Sequence, residues 1–164
     1  MKLLIINADD CNLTPGVTEG ILQSHDQGIV TSTTLLINLP LSDAAVCQIK
    51  RRKTLGLGLH LNVTLGNPVS APRNISSLLD PAGKFKRPAD YLRKSPPLKE
   101  VLRETEAQLG LFRQRFQKFP DHLDTHHHLH EHPIFFEAVA LLAKRLKIPM
   151  RRSKIFTRVR IRLL

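Results

Sequence analysis

Short apolar runs alternate with helix-forming segments along most of this chain. The predicted strands are the apolar or β-branched stretches at residues 3–6, 29–38 and 55–62, then residues 121–125, and a fifth candidate that begins at residues 148–150. Segments with helical length and periodicity lie between and beside them, at residues 14–28, 42–52, 98–116 and 133–147. Strands that alternate with helices pair in parallel, because each helix returns the chain across the sheet. The sequence therefore predicts an α/β fold with a mostly parallel sheet, either open or closed into a barrel.

Local signals add detail to this alternation. Residues 3–6 are wholly apolar, which is typical of a strand buried on both faces. Thr14 and Ser42 stand where the first two helices should begin, and both are favourable N-cap residues. Residues 66–97 are rich in Pro, Gly, Ser and basic residues and are too long for an ordinary connection. We expect them to form a functional loop or a small excursion.

The charge of the chain is unevenly distributed. The 164 residues have a formal net charge of +11, but residues 144–164 contain nine basic residues and no acidic one. Residues 1–143 contain 16 basic and 14 acidic residues. A nucleic-acid-binding body needs basic residues across a docking face, so the nearly neutral main body argues against nucleic acid as its partner. Attachment of the basic tail alone to an anionic membrane or nucleic acid would be salt-sensitive.

Composition excludes several other classes of protein. A hydrophobic content of 41% is sufficient for a core, and the length favours one domain. Two cysteines are too few for a disulfide scaffold. The N-terminal apolar run is too short for a signal peptide, and no stretch is long enough for a transmembrane segment. We therefore expect a cytoplasmic protein.

Polar clusters follow three of the predicted strands. They are residues 7–10 (Asn-Ala-Asp-Asp), 60–62 (His-Leu-Asn) and 122–130, the last within a stretch that holds six of the eight histidines. In α/β folds, ligands bind at the carboxyl ends of the strands, so these clusters should meet on one rim. Carboxylates and imidazoles bind divalent metals and exchange protons near neutral pH. The sequence therefore predicts a metal-dependent catalytic site.

Each candidate residue also has a less specific interpretation. Asp9 and Asp10 point to opposite sides of an extended segment, so one can ligate a metal while the other acts as a general base. Alternatively, the pair forms a turn or a helix cap. His60 is either a ligand or a hydrogen-bonded core histidine, and Asn7 and Asn62 either position a substrate or cap loops. The histidine run lies between a strand and a helix, where active-site loops occur, which favours metal binding over a solvated tract.

Four motifs, in this order, resemble the YdjC family of carbohydrate deacetylases, including its chitooligosaccharide and hopanoid-biosynthesis-associated branches. The motifs are INADD with the following TPGV, GIVTSTTLLIN, GLHLNVTLGNP and HLDTHHHLH. The resemblance covers residues 1 to about 150. It implies a distorted (β/α) barrel and a metal-dependent hydrolase, with magnesium usually given, that removes acetyl groups from N-acetylated carbohydrates.

The resemblance also assigns roles to individual residues. It implies that Asp10, His60 and His126 hold the metal and that Asp9 is the catalytic base. Three further histidines would lie beside the metal ligands or line the sugar cleft: His127, His128 and His130. Two imidazoles and one carboxylate suit zinc or another transition metal better than magnesium, which prefers oxygen ligands. Both metals therefore stay open.

The sequence departs from the family pattern in two places. Cys11 and Asn12 stand where the family usually has Phe-Gly, so the loop loses a residue that adopts unusual backbone angles easily. Family members are also longer, and their later part closes the barrel and carries a His-Pro motif suited to the leaving-group acid. We expect residues 1–150 to be an incomplete deacetylase domain and residues 151–164 to be a separate basic tail.

An incomplete domain has two expected consequences. The truncated chain would have weak or no activity, and its open sheet edge could be covered by a second copy, giving a homodimer. Two other functions stay open. One is a different metal-dependent amidohydrolase or phosphoesterase on the same scaffold, because fold alone does not determine the reaction. The other is a non-catalytic metal- or sugar-binding module.

Overall fold

Four strands pair in chain order, β1-β2-β3-β4, into one parallel sheet. The structure, a computed structural model, describes residues 4–154. The strands are β1 (Asn7–Cys11), β2 (Ser32–Leu35), β3 (Gly56–Leu61) and β4 (Leu123–Thr125). The predicted α/β class with a parallel sheet is confirmed.

Five α-helices in the described part of the chain connect or follow these strands. They are α1 (Pro15–Asp26), α2 (Asp43–Arg51), α3 (Pro88–Arg93), α4 (Leu98–Phe116) and α5 (Pro133–Leu146). The Thr14 and Ser42 side chains accept hydrogen bonds from the backbone amides of Val17 and Ala45, so both predicted N-caps are confirmed. Within residues 4–154, no helix has the length and apolar character needed to cross a membrane.

The two faces of the sheet differ in chemistry. Alternate residues of a strand point to opposite faces, and one set packs with the helices into the main core. Its strand members are Cys11, Leu35, Leu57, Leu59, Leu61 and Leu123. The opposite set is small or polar, and its members contact one another across the strands: Asn7, Asp9, Ser32, Thr34, Gly58, His60, His122 and Asp124. We call this second set the polar face.

The prediction for the first strand was wrong. Instead of a strand at residues 3–6 that is buried on both faces, β1 begins at Asn7, and Leu4 and Ile5 are 79% and 76% exposed. Pairing with β2 starts at Asn7 opposite Ser32, and just before it the Ile6 carbonyl accepts from the Thr31 and Ser32 amides, so Leu4 and Ile5 lie outside the paired segment. Apolar content indicated a strand here but did not locate its hydrogen-bonded ladder.

Residues 66–97 form a small packed excursion, one of the two predicted alternatives. It contains two short 3₁₀ turns and α3, and it has its own buried cluster with α4 and α5. The Tyr91 hydroxyl donates hydrogen bonds to the carbonyl oxygens of Val63 (2.6 Å) and Leu78 (3.1 Å). The fully buried Glu104 of α4 accepts hydrogen bonds from the backbone amides of Val69 and Ser70. These bonds tie the excursion to the segment that follows β3.

Replacing Tyr91 by Phe should lower the free energy of unfolding by about 1–2 kcal/mol, because the buried Val63 carbonyl loses its hydroxyl donor, whereas Leu78 O keeps the Lys86 amide. Chemical denaturation followed by circular dichroism measures this change. The matched control is Leu92→Ala on the same helix, since Leu92 is 78% exposed and should change stability by less than about 0.5 kcal/mol. Equal stability of Y91F and the parent chain would contradict the prediction.

Candidate metal centre

Asp10, His60 and His126 lie together at the carboxyl end of the sheet. Asp10 belongs to β1, His60 lies near the end of β3, and His126 directly follows β4. Asp10 Oδ1 is 3.1 Å from His60 Nε2 and 2.8 Å from His126 Nδ1. One ligand atom from each residue lies within 4.8 Å of the others, so the three could hold a metal ion.

An irregular backbone aims Asp10 at this point. The register between β1 and β2 shifts between Ala8 and Cys11, and Asp10 has a φ of 65°. Asn12 also has a positive φ, 73°, at the position where the family resemblance led us to expect Gly. Its side chain donates to the carbonyl oxygens of Leu36 (2.9 Å) and Leu39 (3.2 Å). Asn tolerates this backbone region better than most residues, so the chain keeps the tight turn without the family glycine.

The donor set fits a divalent cation. His60 is buried, and its Nδ1 has no hydrogen-bond partner among residues 4–154, although it faces Asp124 Oδ2 at 3.8 Å. A metal-bound imidazole carries its proton on the other ring nitrogen and directs it to a carboxylate, which is the arrangement that Asp124 offers. The hydrogen bond from His60, with support from His126, lowers the pKa of Asp10 to about 2. Asp10 is therefore ionised, as a ligand must be.

Asp9 lies next to these residues and is paired with Arg151. Arg151 Nη1 donates to Asp9 Oδ2 (2.9 Å) and lies 3.0 Å from Asp124 Oδ2. Burial tends to raise the pKa of Asp9, but the hydrogen bond and charge of Arg151, together with the Asn7 amide, hold that pKa below its ordinary value. Asp9 is thus an ionised carboxylate at the edge of the cleft, able to accept a proton.

Sequence reasoning missed Arg151 because it assigned this residue to the tail. The structure continues the sheet here: the Leu123 amide donates to Pro149 O, the Arg151 amide donates to Leu123 O, and Met150 forms a parallel bridge with Leu123. The side chain therefore enters the polar face beside β4. Ligands bind at the carboxyl ends of the strands, and this rule, applied to the predicted strand at residues 148–150, would have identified Arg151.

The two asparagines named in the sequence have different positions. Asn7 lies on the polar face and donates to Asp9 Oδ1 at 2.7 Å. Asn62 is fully buried, and its Oδ1 accepts from the backbone amides of Thr64 and Leu65. The Asn62 side chain closes the turn after β3, as the loop-capping alternative described.

The histidine run divides between the cleft and the interior. His127 and His128 have left-handed backbones (φ 53° and 54°) and line a cleft of about 430 Å³ with Asp9, Asp10 and His126. The His127 ring stacks on His126 at 3.9 Å between centroids, and its Nδ1 lies 2.9 Å from Thr64 Oγ1. His130 is instead buried, with Nδ1 2.8 Å from Thr125 Oγ1.

Comparison with known families gives the context of this site. A family model described as "YdjC-like protein" matches residues 3–163. The chain belongs to the YdjC family. The match continues beyond residue 150, where the sequence resemblance was expected to fade, and residues 155–163 of it lie outside the described part of the structure. The separation of residues 151–164 as a distinct tail stays a prediction.

Relatives and a solved structure agree with this membership. The chain is 42% identical over 153 residues to a carbohydrate deacetylase of Brevibacillus brevis, covering 93% of this chain and 60% of the relative. It is 39% identical over 157 residues to a carbohydrate deacetylase of Clostridium beijerinckii, covering 92% and 60%. The chain thus spans about 60% of the length of these curated relatives.

The solved structure is a crystal structure from Enterococcus faecalis V583, described as a candidate cellobiose-phosphate cleavage protein. It superposes with a TM-score of 0.84 at 36% identity, covering 90% of this chain and 57% of that one. The parallel sheet with its helices is therefore the YdjC fold, which is consistent with a distorted barrel.

Buried histidines should make the metal-free protein less stable in mild acid. Burial lowers the pKa of His122 and of His130. The unfolded chain then binds more protons than the native state below about pH 6.5, so the free energy of unfolding should fall from pH 7.5 to pH 5.5. Urea denaturation with a chelator present measures this dependence, and His130→Gln should flatten it. Stability that is constant or rises on acidification would contradict the prediction.

Proposed function

We propose that this chain carries the metal centre and the general base of a metal-dependent carbohydrate deacetylase. The observation that carries the proposal is the juxtaposition of the Asp10–His60–His126 group with an ionised Asp9 in one cleft. The names of the relatives support an acetylated sugar or oligosaccharide as substrate. Because the chain spans about 60% of those relatives, activity and substrate are proposed for it rather than shown.

Asp10, His60 and His126 would hold the metal. A divalent cation, when bound, supplies Lewis-acid polarisation of the acetamide carbonyl. Asp9 accepts the proton of the attacking water, because it is ionised and borders the same cleft. Attack on the carbonyl carbon forms the new C–O bond. The C–N bond then breaks as the departing nitrogen takes up a proton, for which Asp9, protonated in the preceding step, is the donor among the described residues, and acetate and the free amine are released.

Arg151 fixes the orientation of Asp9 and keeps it ionised. Its guanidinium holds both oxygens of Asp9, at 2.9 Å and 3.3 Å, so the carboxylate has a fixed orientation. The same contact favours the ionised form, so Asp9 carries no proton at neutral pH, but it also lowers the pKa and hence the basicity of Asp9, so the main contribution of Arg151 is orientation. The Asn7 amide adds a second donor to Asp9 Oδ1.

The metal itself is a separate proposal. Family resemblance suggests magnesium, whereas two imidazoles and one carboxylate match zinc, cobalt, iron or nickel better. We favour a transition metal on the basis of the donor set. The cytoplasmic location also stays a prediction.

Asp10→Asn, His60→Gln and His126→Gln should each weaken binding of Co²⁺ by at least about tenfold, because each removes one of three protein ligands. The visible absorption spectrum of the Co²⁺-loaded chain reports binding. His25→Gln serves as the control, since His25 contacts Val30 O and Thr54 Oγ1 away from the cleft. Undiminished Co²⁺ binding by all three variants would exclude this metal site.

Asp9→Asn should abolish acetate release while leaving Co²⁺ affinity unchanged, because the amide keeps the shape of the side chain and loses its basicity. Acetate release from N-acetylglucosamine oligomers by the metal-loaded chain is the assay. A non-catalytic module would release no acetate, and its sugar binding would be the same before and after the substitution. Robust turnover would instead overturn the expectation that the 164-residue chain alone is weakly active.

A different hydrolase on the same scaffold is the second candidate. The metal group and base would serve an amidohydrolase or phosphoesterase equally well. A panel of N-acetylated sugars and phosphate esters separates these activities, since preferential release of phosphate would favour the second candidate.

A further inference from the structure

His122 has no role in the proposed mechanism. Its side chain nevertheless contacts, across the sheet, the asparagine that donates a hydrogen bond to Asp9. It precedes β4, and its Nε2 lies 3.1 Å from Oδ1 of Asn7 in β1. Asn7 in turn donates from Nδ2 to Asp9 Oδ1 at 2.7 Å. A chain of two contacts therefore connects His122 to the proposed base.

The donors and acceptors in this chain have only one consistent arrangement. Asp9 is ionised and can only accept, so the NH₂ group of Asn7 must face it. Asn7 Oδ1 must then face the other way, where it accepts from the Ser32 hydroxyl at 2.7 Å. An amide oxygen cannot donate, so His122 must carry a proton on Nε2. The imidazole thus fixes which way the Asn7 amide is turned.

Gly58 makes this reach across the sheet possible. A Cβ built on Gly58 would lie 2.6 Å from His122 Cε1 and Nε2 and 2.8 Å from Cδ2. Contacts below 3.0 Å with three ring atoms mean that any side chain at this position would displace the ring. The glycine in β3 therefore leaves the space in which the imidazole crosses toward β1.

We propose that His122 is a positioning residue for Asp9, acting through Asn7 across the space that Gly58 leaves on the polar face. The inference rests on the proposed role of Asp9 as the base. Burial lowers the pKa of His122, which keeps a single proton on the ring at neutral pH and agrees with the arrangement derived above.

Three variants test the role by kinetics. His122→Leu removes the donor and should reduce kcat by about 10- to 100-fold with little change in KM or Co²⁺ affinity, because only the orientation of the base changes. His122→Gln, which keeps an N–H donor near the Nε2 position, should recover most of kcat. Gly58→Ala should reduce kcat while leaving the donor in the sequence. Gly110→Ala in α4, where a Cβ meets nothing within 4 Å, is the control.

The effects of Gly58→Ala and His122→Leu on kcat should not be additive. If Gly58 acts only by giving space to His122, the double variant G58A/H122L should have the same kcat as H122L alone. Independent structural damage at the two sites would instead multiply the losses. A multiplied loss, or a normal kcat in H122L, would overturn the proposal.

A spectroscopic readout separates this inference from the proposed function. In the ¹⁵N-labelled metal-free chain, His122 should be the neutral Nε2–H tautomer at pH 7.5, and the Asn7 side-chain NH₂ signals should shift in H122L and return in H122Q. These signals do not depend on turnover. Absence of acetate release with the expected signals would overturn only the deacetylase function, whereas an Nδ1–H tautomer or unmoved Asn7 signals would overturn the positioning role itself.

Discussion

The parallel pairing of four strands is the constraint on which the site depends. Parallel strands end at one edge, so residues far apart in the chain meet there without any long loop to bring them together. Successive side chains of a strand alternate between the two faces of the sheet, so the apolar side chains that pack against the helices lie on the face opposite the polar face. A slip of one residue in the register of β3 would exchange Leu59 with His60 and bury a ligand among the leucines.

Charge balance on the polar face follows from this arrangement. Asp9 and Asp124 are two carboxylates that share one cation, Arg151, whose guanidinium reaches an oxygen of each. Asp10 has imidazoles as neighbours instead. Two adjacent carboxylates in the sequence, Asp9 and Asp10, therefore have different environments, and this difference agrees with the proposed roles of Asp9 as a base and Asp10 as a metal ligand.

Local signals in the sequence predicted the features that depend on neighbours in the chain. The apolar stripe of α4 predicted Leu98–Phe116 with its observed bounds, and Thr14 and Ser42 marked the starts of α1 and α2. The position of ligand sites at the carboxyl ends of strands predicted that the polar clusters containing Asp10, His60 and His126 lie together. The choice of these three residues within the clusters came from the family resemblance.

Features set by distant contacts were not predictable in this way. The start of β1 depends on where Ser32 pairs, and the role of Arg151 depends on Asp9, from which it is separated by 142 positions. The contact of His122 with Asn7 depends on the space that Gly58 leaves, and in a single sequence this glycine indicates only an interruption in a strand.

The late position of Arg151 has a consequence for synthesis on the ribosome. The β1 and β2 segments leave the ribosome long before residue 151 does. The first strands can therefore form while Asp9 still lacks the Arg151 guanidinium. Closing a loop of that length is also entropically costly, although the cost grows only slowly with its size. Assembly of the polar face is therefore tied to completion of the segment that follows α5, and a nascent chain interrupted before Arg151 would contain the proposed metal ligands without the cation that pairs with Asp9.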